Sequence, residues 1–181
     1  MPTMCNEADQ SMKNLSYELF KDIDLSNKFF DSLRQEYSEF SVWFRKKAEA
    51  GEKAYLFHQQ GIKGFLYIKL EEGVVDDVVP PIPNGKHIKI GTLKLHAHGT
   101  RLGQRFVKKI FDHALASNAD DVYVTVFSHH AVLIRILKTY GFQEYGKKYG
   151  PNGEELVFLK DLQTHVGDVL RPSNRITSDC D

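Results

Sequence analysis

Four cations, Arg101, Arg105, Lys108 and Lys109, crowd the first two turns of a helix predicted to end near Ser117, and the first acid after them is Asp112. A helix start already carries about half a positive charge and unpaired N–H groups, so cations there are repelled unless an anion sits among them. The economical guest is a phosphate, with a bare solvated face as the plainer alternative. The helix has a core-facing stripe of Phe106, Val107, Ile110, Phe111, Ala114 and Leu115, at the spacing of an amphipathic helix. Before it, HIKIGTLKLHA (87–97) reads as a strand that breaks at a turn containing Gly99.

These elements need a sheet to hold them. Leu15 to Phe20 reads as a first strand, and Asp24 or Ser26 can cap a helix containing Phe29, Phe30 and Leu33. A second helix is predicted from Ser38 to Ala50, with Gly51 as its stop. KAYLFHQQ (53–60) and IKGFLYIKL (62–70) form a hairpin around Gln60-Gly61. The acidic and then proline-rich stretch 71–86 reads as a long connection or lip, because Pro80, Pro81 and Pro83 do not suit the interior of a central strand. After the basic helix come a strand at 120–128, a helix at 131–140 ending at Gly141, and a last hairpin of 142–148 and 155–162. The order implies an α/β domain with one mixed sheet, from 14 to 164, between flexible segments at 1–13 and 165–181.

Bulk composition excludes several classes. With 41% apolar and 12% aromatic residues over 181 positions, the chain can bury a core. Lys plus Arg equals Asp plus Glu at 24 each, so global charge points to neither nucleic acid nor membrane, and local charge must carry any argument. No apolar run approaches the roughly 18 residues needed to span a bilayer, and the N-terminus lacks the apolar core of a signal peptide. Cys5 and Cys180 lie in the polar ends, which suits a reducing cytoplasm. The eight histidines fall into no ligand spacing backed by a second cluster, an argument against metal.

The element order, the strand–turn–basic helix at 93–110 and the helix ending in Tyr140-Gly141-Phe142 together resemble the GNAT superfamily of acyl-CoA-dependent N-acetyltransferases, over about residues 15–162. The resemblance implies a single domain with a central, mostly antiparallel mixed sheet flanked by helices. Members hold the coenzyme A pyrophosphate on a turn of the form Arg or Gln, two residues, Gly, one residue, Gly or Ala. Here that frame is His98-Gly99-Thr100-Arg101-Leu102-Gly103, with the last glycine kept, His in the first place and Arg101 in place of the middle glycine. Gly99 can supply the flexibility lost at 101, and Arg101 can add a charge-assisted contact to pyrophosphate. The Gly-Phe that closes the helix matches at Gly141-Phe142, the tyrosine four residues before that glycine is Leu137, and an asparagine that contacts the pantetheine arm corresponds to His130.

What the resemblance implies for chemistry is an acetyl group passed from acetyl-CoA to a primary amine by direct attack in a ternary complex. Its pantetheine would lie along Leu93 and Leu95 like a short added strand, and its pyrophosphate would meet Leu102, Gly103, Gln104 and Arg105. The family's usual base is a carboxylate near the central strands, but the stretch from Lys86 to Lys109 contains no acid. His96 and Tyr123 are the inner-strand candidates, and a neutral imidazole suits a base at pH 7. Tyr140, one turn beyond Leu137, is the candidate for the missing phenol. Glu71, Glu72, Asp76 and Asp77 form an acidic lip that would attract cationic amines, or an ordinary solvated loop. The acceptor stays open among a small molecule, a peptide and an aminoacylated RNA, and a homodimer stays open too. Two other readings compete: a non-catalytic acyl-CoA-binding regulatory module, which Leu137 favours, and an RNA-binding protein using the basic strand–turn–helix.

Overall fold

The computed structural model describes residues 14–96 and 100–163, without the side chains of Thr100 and Arg101. Seven strands form one sheet in the order β1-β2-β3-β4-β5-β7-β6. They are β1 (Leu15–Leu19), β2 (Lys53–His58), β3 (Ile62–Val75), β4 (Ile82–Leu95), β5 (Asp121–Val126), β6 (Gln143–Gly150) and β7 (Gly153–Asp161). Every neighbouring pair is antiparallel except β4 and β5. Four α-helices flank it: α1 (Asp31–Glu36), α2 (Phe40–Glu49), α3 (Thr100–Ala116) and α4 (Ala131–Thr139). A mixed, mostly antiparallel α/β sheet flanked by helices is therefore what the sequence implied.

Alternation along β3 sends its residues to two separate cores. Phe65 and Tyr67 join Phe20, Phe30, Phe40 and Phe44 under α1 and α2. Leu66 and Ile68 join Ile88, Ile90, Phe106, Ile110, Val124 and Leu137 under α3 and α4. The stripe expected on α3 faces inward through Phe106, Val107, Ile110 and Ala114, while Leu115 is exposed.

Two expectations need correction. Phe29 and Phe30 lie in a 3-10 turn (Lys28–Phe30) that precedes α1, and its cap is Asn27, whose side chain accepts from the Phe29 N–H at 2.9 Å. Asp24 instead accepts from the Ser26 N–H and hydroxyl, closing the turn before it. The stretch 71–86 is mostly not a connection: β3 continues to Val75 and β4 begins at Ile82, paired through Glu71↔His87, Glu72↔Lys86, Gly73↔Gly85 and Val75↔Ile82. Pro83 fits because the register shifts there, and at a bulge proline gives up no ladder hydrogen bond. Only 76–81 turns, and Val79 pairs with Lys147 of β6, so the hairpin tip folds over one face of the sheet and buries Val75, Val78 and Ile82 against Tyr123 and Val157.

Candidate active site

β4 and β5 pair only from His87↔Asp121 to Ile90↔Val124, although β4 runs on to Leu95 and β5 to Val126. Their outer edges stay paired, β4 with β3 as far as Leu95 and β5 with β7 as far as Val126. The two strands therefore part beyond Ile90 and Val124 and leave a wedge with unpaired edges. The parting begins at a bulge, where Tyr67 faces Thr92 and Ile68 faces Ile90, so that Gly91 is the extra residue. A bulge bends its strand and strengthens the twist. Glycine is required there, because a Cβ on Gly91 would come within 2.6 Å of the Tyr67 ring.

The His96 N–H donates to the Lys63 carbonyl at 2.7 Å. Antiparallel alternation then turns the peptide groups of Thr92 and Lys94 toward β3 and those of Leu93 and Leu95 toward the wedge. The Leu93 and Leu95 side chains pack on the core beneath α3 and α4, so their contribution to a ligand is backbone. Above the wedge α3 begins at Thr100 with no acid in its first turn. Leu102 is buried in the core, which leaves only its backbone for a ligand, while Gln104 is exposed. A Cβ on Gly103 would lie 3.3 Å from Ile136 and 3.6 Å from Leu95, so this glycine lets α3, α4 and the end of β4 meet closely. The Arg105 guanidinium lies over the Phe57 ring of β2, 5.5 Å from its centre, spending part of its capacity on packing. His98, Gly99 and the Arg101 side chain lie outside the described residues.

His96 is exposed at the far end of β4 with its ring 5.0 Å from Phe29. Burial, followed by Lys94 and Lys63, pushes its pKa down, which keeps it neutral at pH 7. It stands five residues beyond the bulge, roughly 16 Å along the strand. Tyr140 is the C-cap of α4 and packs against the core at the end of the helix farthest from β5. Leu137, where the resemblance expects tyrosine, is fully buried in that core. His130, at the N-cap of α4, directs its Nε2 to Glu36 of α1 at 2.9 Å.

Three of the four acids of the expected lip are paired, and Asp76 is exposed. Asp77 pairs with Lys148 at 2.5 Å and Glu72 with Lys86 at 3.6 Å. Glu71 turns to the sheet, where its carboxylate accepts from the Tyr123 hydroxyl of β5 at 2.5 Å and lies 3.1 Å from Lys69 and 3.9 Å from Lys89 of β4. Burial pushes its carboxyl up, but the Tyr123 hydroxyl, Lys89 and Lys69 outweigh it and hold the pKa below the usual range. Burial and Glu71 drive the Tyr123 phenol far up. Glu71 is thus a carboxylate that the neighbouring strand brings beside Tyr123 of β5 and Lys89 of β4. Its signal in the sequence was the alternation Tyr67, Lys69, Glu71 continuing past Leu70 with no turn residue until Gly73.

This cluster and the adjoining hairpin face border a cavity of about 510 Å³ that also touches His87, Asp76 and Asp77. A second cavity, of about 350 Å³, opens at the C-terminal end of β5 between Phe127, Ser128, His129, Glu36 and the β6–β7 turn at Asn152-Gly153. Acid lines both. No helix among the described residues is long and apolar enough to cross a membrane.

No protein-family model and no curated protein sequence matches the chain. Solved structures do match its fold. An N-acetyltransferase from Staphylococcus aureus Mu50 is 13% identical with a TM-score of 0.57, covering 83% of this chain and 99% of its own. Arabidopsis thaliana NAA60 in complex with acetyl-CoA is 13% identical with a TM-score of 0.54, covering 82% and 99%. A chain of the NatC complex bound to Gag peptide and CoA is 14% identical with a TM-score of 0.53, again covering 82% and 99%.

Proposed function

We propose, for a chain whose fold is that of the GNAT N-acetyltransferases, that it transfers acetyl from acetyl-CoA to a primary amine by direct attack in a ternary complex. One observation carries this reading: the two central parallel strands separate at a glycine bulge immediately beneath the start of a helix rich in cations. The free backbone groups of Leu93 and Leu95 suit the two amides of pantetheine. The first turn of α3, with the backbone at Leu102 and Gly103 and the polar Gln104, suits the pyrophosphate. Those two anchors put the thioester at the other end of the arm, near Gly91, where the sheet opens.

From that placement follow the roles of the side chains. The attacking amine must lose a proton as the C–N bond forms and the C–S bond breaks, and the thiolate leaves with the electron pair. Glu71, on the face opposite α3 and within two residues of the bulge level through Lys89 and Tyr123, is the proton acceptor through an intervening water. His96 stands at the phosphate end and helps hold the coenzyme there. Tyr140 holds the end of α4 against the core. With Leu137 buried where the family places its phenol, the thiolate leaves by taking a proton from water. That same residue is what favours a non-catalytic acyl-CoA-binding module, and turnover separates the two.

Calorimetric titration with acetyl-CoA, coenzyme A and dephospho-coenzyme A tests the site. Micromolar affinity, at least tenfold weaker without the 3′-phosphate, is expected; no heat with any of the three overturns the reading. His96→Ala is expected to raise the KM for acetyl-CoA about tenfold and to leave the shape of the pH–rate profile from pH 6 to 9 unaltered. Loss of an ionisation from that profile in the variant would return His96 to the role of base.

A further inference from the structure

Glu36, the last residue of α1, meets His129 and His130, the two residues before α4, across more than ninety positions of sequence. The Nε2 of His129 lies 2.7 Å, and that of His130 2.9 Å, from the same carboxylate oxygen of Glu36. All three potential ligand atoms lie within 4.8 Å of one another. Sequence spacing gave no hint of this, since the carboxylate comes from a distant helix.

Neighbouring side chains in a turn ordinarily diverge, yet here the two imidazole rings stand 4.2 Å apart. An aromatic stack holds them. His129 lies flat on Phe127 at 5.6 Å and 11°, and Phe127 stacks on Tyr37, the C-cap of α1, at 5.5 Å and 27°. The same stack therefore fixes both sides of the cluster, the imidazoles through Phe127 and the carboxylate through Tyr37. Side-chain exposures of 65% for His129, 38% for His130 and 22% for Glu36 mean that an ion can reach all three from solvent without opening the core.

We propose that Glu36, His129 and His130 form a binding site for a divalent transition-metal ion of the zinc type. Two imidazoles and a carboxylate are borderline ligands that suit zinc, cobalt or nickel and do not suit magnesium or calcium, which require mostly oxygen. Bonds of about 2.0–2.1 Å in a tetrahedral arrangement separate ligand atoms by about 3.3 Å. The hydrogen-bonded atoms need spread by only about half an ångström to admit the ion, a motion within reach of exposed rings. Three protein ligands leave a fourth position for water, and Glu36 and His129 line the cavity that also touches Asn152 and Glu154. Metal entry replaces two N–H···O hydrogen bonds with three coordinate bonds and fastens the end of α1 to the start of α4. If the wedge holds acetyl-CoA as proposed above, this clamp sits at the mouth through which the acceptor reaches the thioester; the ion site itself does not depend on that reading.

The test uses the full chain, freed of metal by chelator and titrated with zinc chloride in a calorimeter and with cobalt chloride in a spectrophotometer. One zinc per chain at micromolar or tighter Kd is expected. Cobalt should give visible d–d absorption of tetrahedral intensity, and zinc should raise the Tm. Glu36→Gln and the double variant His129→Ala/His130→Ala should each weaken zinc at least tenfold and abolish the cobalt bands. All three side chains are at least partly exposed, so both variants should retain wild-type circular dichroism, and His129→Gln/His130→Gln serves where the alanine pair does not. No stoichiometric zinc, or zinc uptake undiminished in the folded double variants, overturns the site. Because the readouts are heat, colour and melting, failure here leaves the coenzyme reading untouched, and absence of coenzyme binding leaves the metal site standing.

Discussion

Glu71→Gln should lower kcat by about 10²-fold or more, within the 10²–10⁴ that a positioned general base supplies, and leave the affinity for acetyl-CoA unchanged. The substitution keeps the shape and the capacity to accept from Tyr123, while removing the charge that takes the proton. Glu71 sits on β3 opposite His87 of β4, short of the bulge and away from the backbone edge of Leu93 and Leu95 and from the start of α3, so coenzyme affinity has no reason to move. Tyr123→Phe should cost less, because it removes only the group that orients the carboxylate and leaves Lys69 and Lys89 beside it. The pH dependence follows from the direction of the shift. Glu71 is held below the ordinary carboxylate range and stays ionised through pH 6–9, so a rise in rate with pH over that window belongs to the acceptor ammonium and persists in both variants. Steady-state rates with the best amine from an acceptor screen decide the matter: Glu71→Gln turning over within threefold of wild type removes it from the reaction.

The reason the place of Glu71 escaped the sequence, while the helix start crowded with cations did not, lies in the range of the interactions. A helix start crowded with cations is a local pattern, and so is the strand that precedes it; periodicity and charge over twenty residues reveal both. The same holds for the hairpins, α2 and the order of the elements around one mixed sheet. What failed was long-range. Pro80, Pro81 and Pro83 signal a break in a strand, but the partner strand tolerates a bulge at Pro83 and the ladder runs on either side of it, so a predicted lip became the extension that carries Glu71 to Tyr123. Asn27 displaced Asp24 and Ser26 as cap because packing of Phe29 and Phe30 under α1 and α2 fixes the turn later in the chain. The meeting of Glu36 with His129 and His130 depends on how α1 lies across the end of β5, and no local spacing encodes it.

His87 is where stability and pH should be coupled most strongly. Its side chain is 1% exposed, with Nδ1 at 2.9 and 3.0 Å from the two oxygens of Asp121 and Nε2 at 2.9 Å from the Gly73 carbonyl. Both partners only accept when Asp121 is ionised, so both ring nitrogens must donate and the imidazole is held as the cation. Burial alone would lower its pKa, but the hydrogen bonds to Asp121 and Gly73 outweigh burial and raise it. Asp121 is itself pushed up, chiefly by burial. A histidine whose folded pKa is raised contributes its full stabilisation below the unfolded value, about 6.5, and loses it as pH climbs through the folded value. His96 and His113, both shifted down, act only below that window. Wild-type Tm should therefore fall as pH rises from about 6.5, and His87→Leu should flatten that slope. At pH 6 the same substitution should cost about 3–5 kcal/mol, the penalty for leaving a buried charge without its partner, since the Asp121 carboxylate and the Gly73 carbonyl lose their donors together. Pairing it with Asp121→Asn should restore part of the loss, because the uncompensated charge is gone. Urea unfolding of the wild type, His87→Leu, Asp121→Asn and the double variant at pH 6 and pH 8 measures all of this; His87→Leu losing less than 1 kcal/mol, with the pH slope of the wild type intact, would show that the pair is not an imidazolium–carboxylate contact.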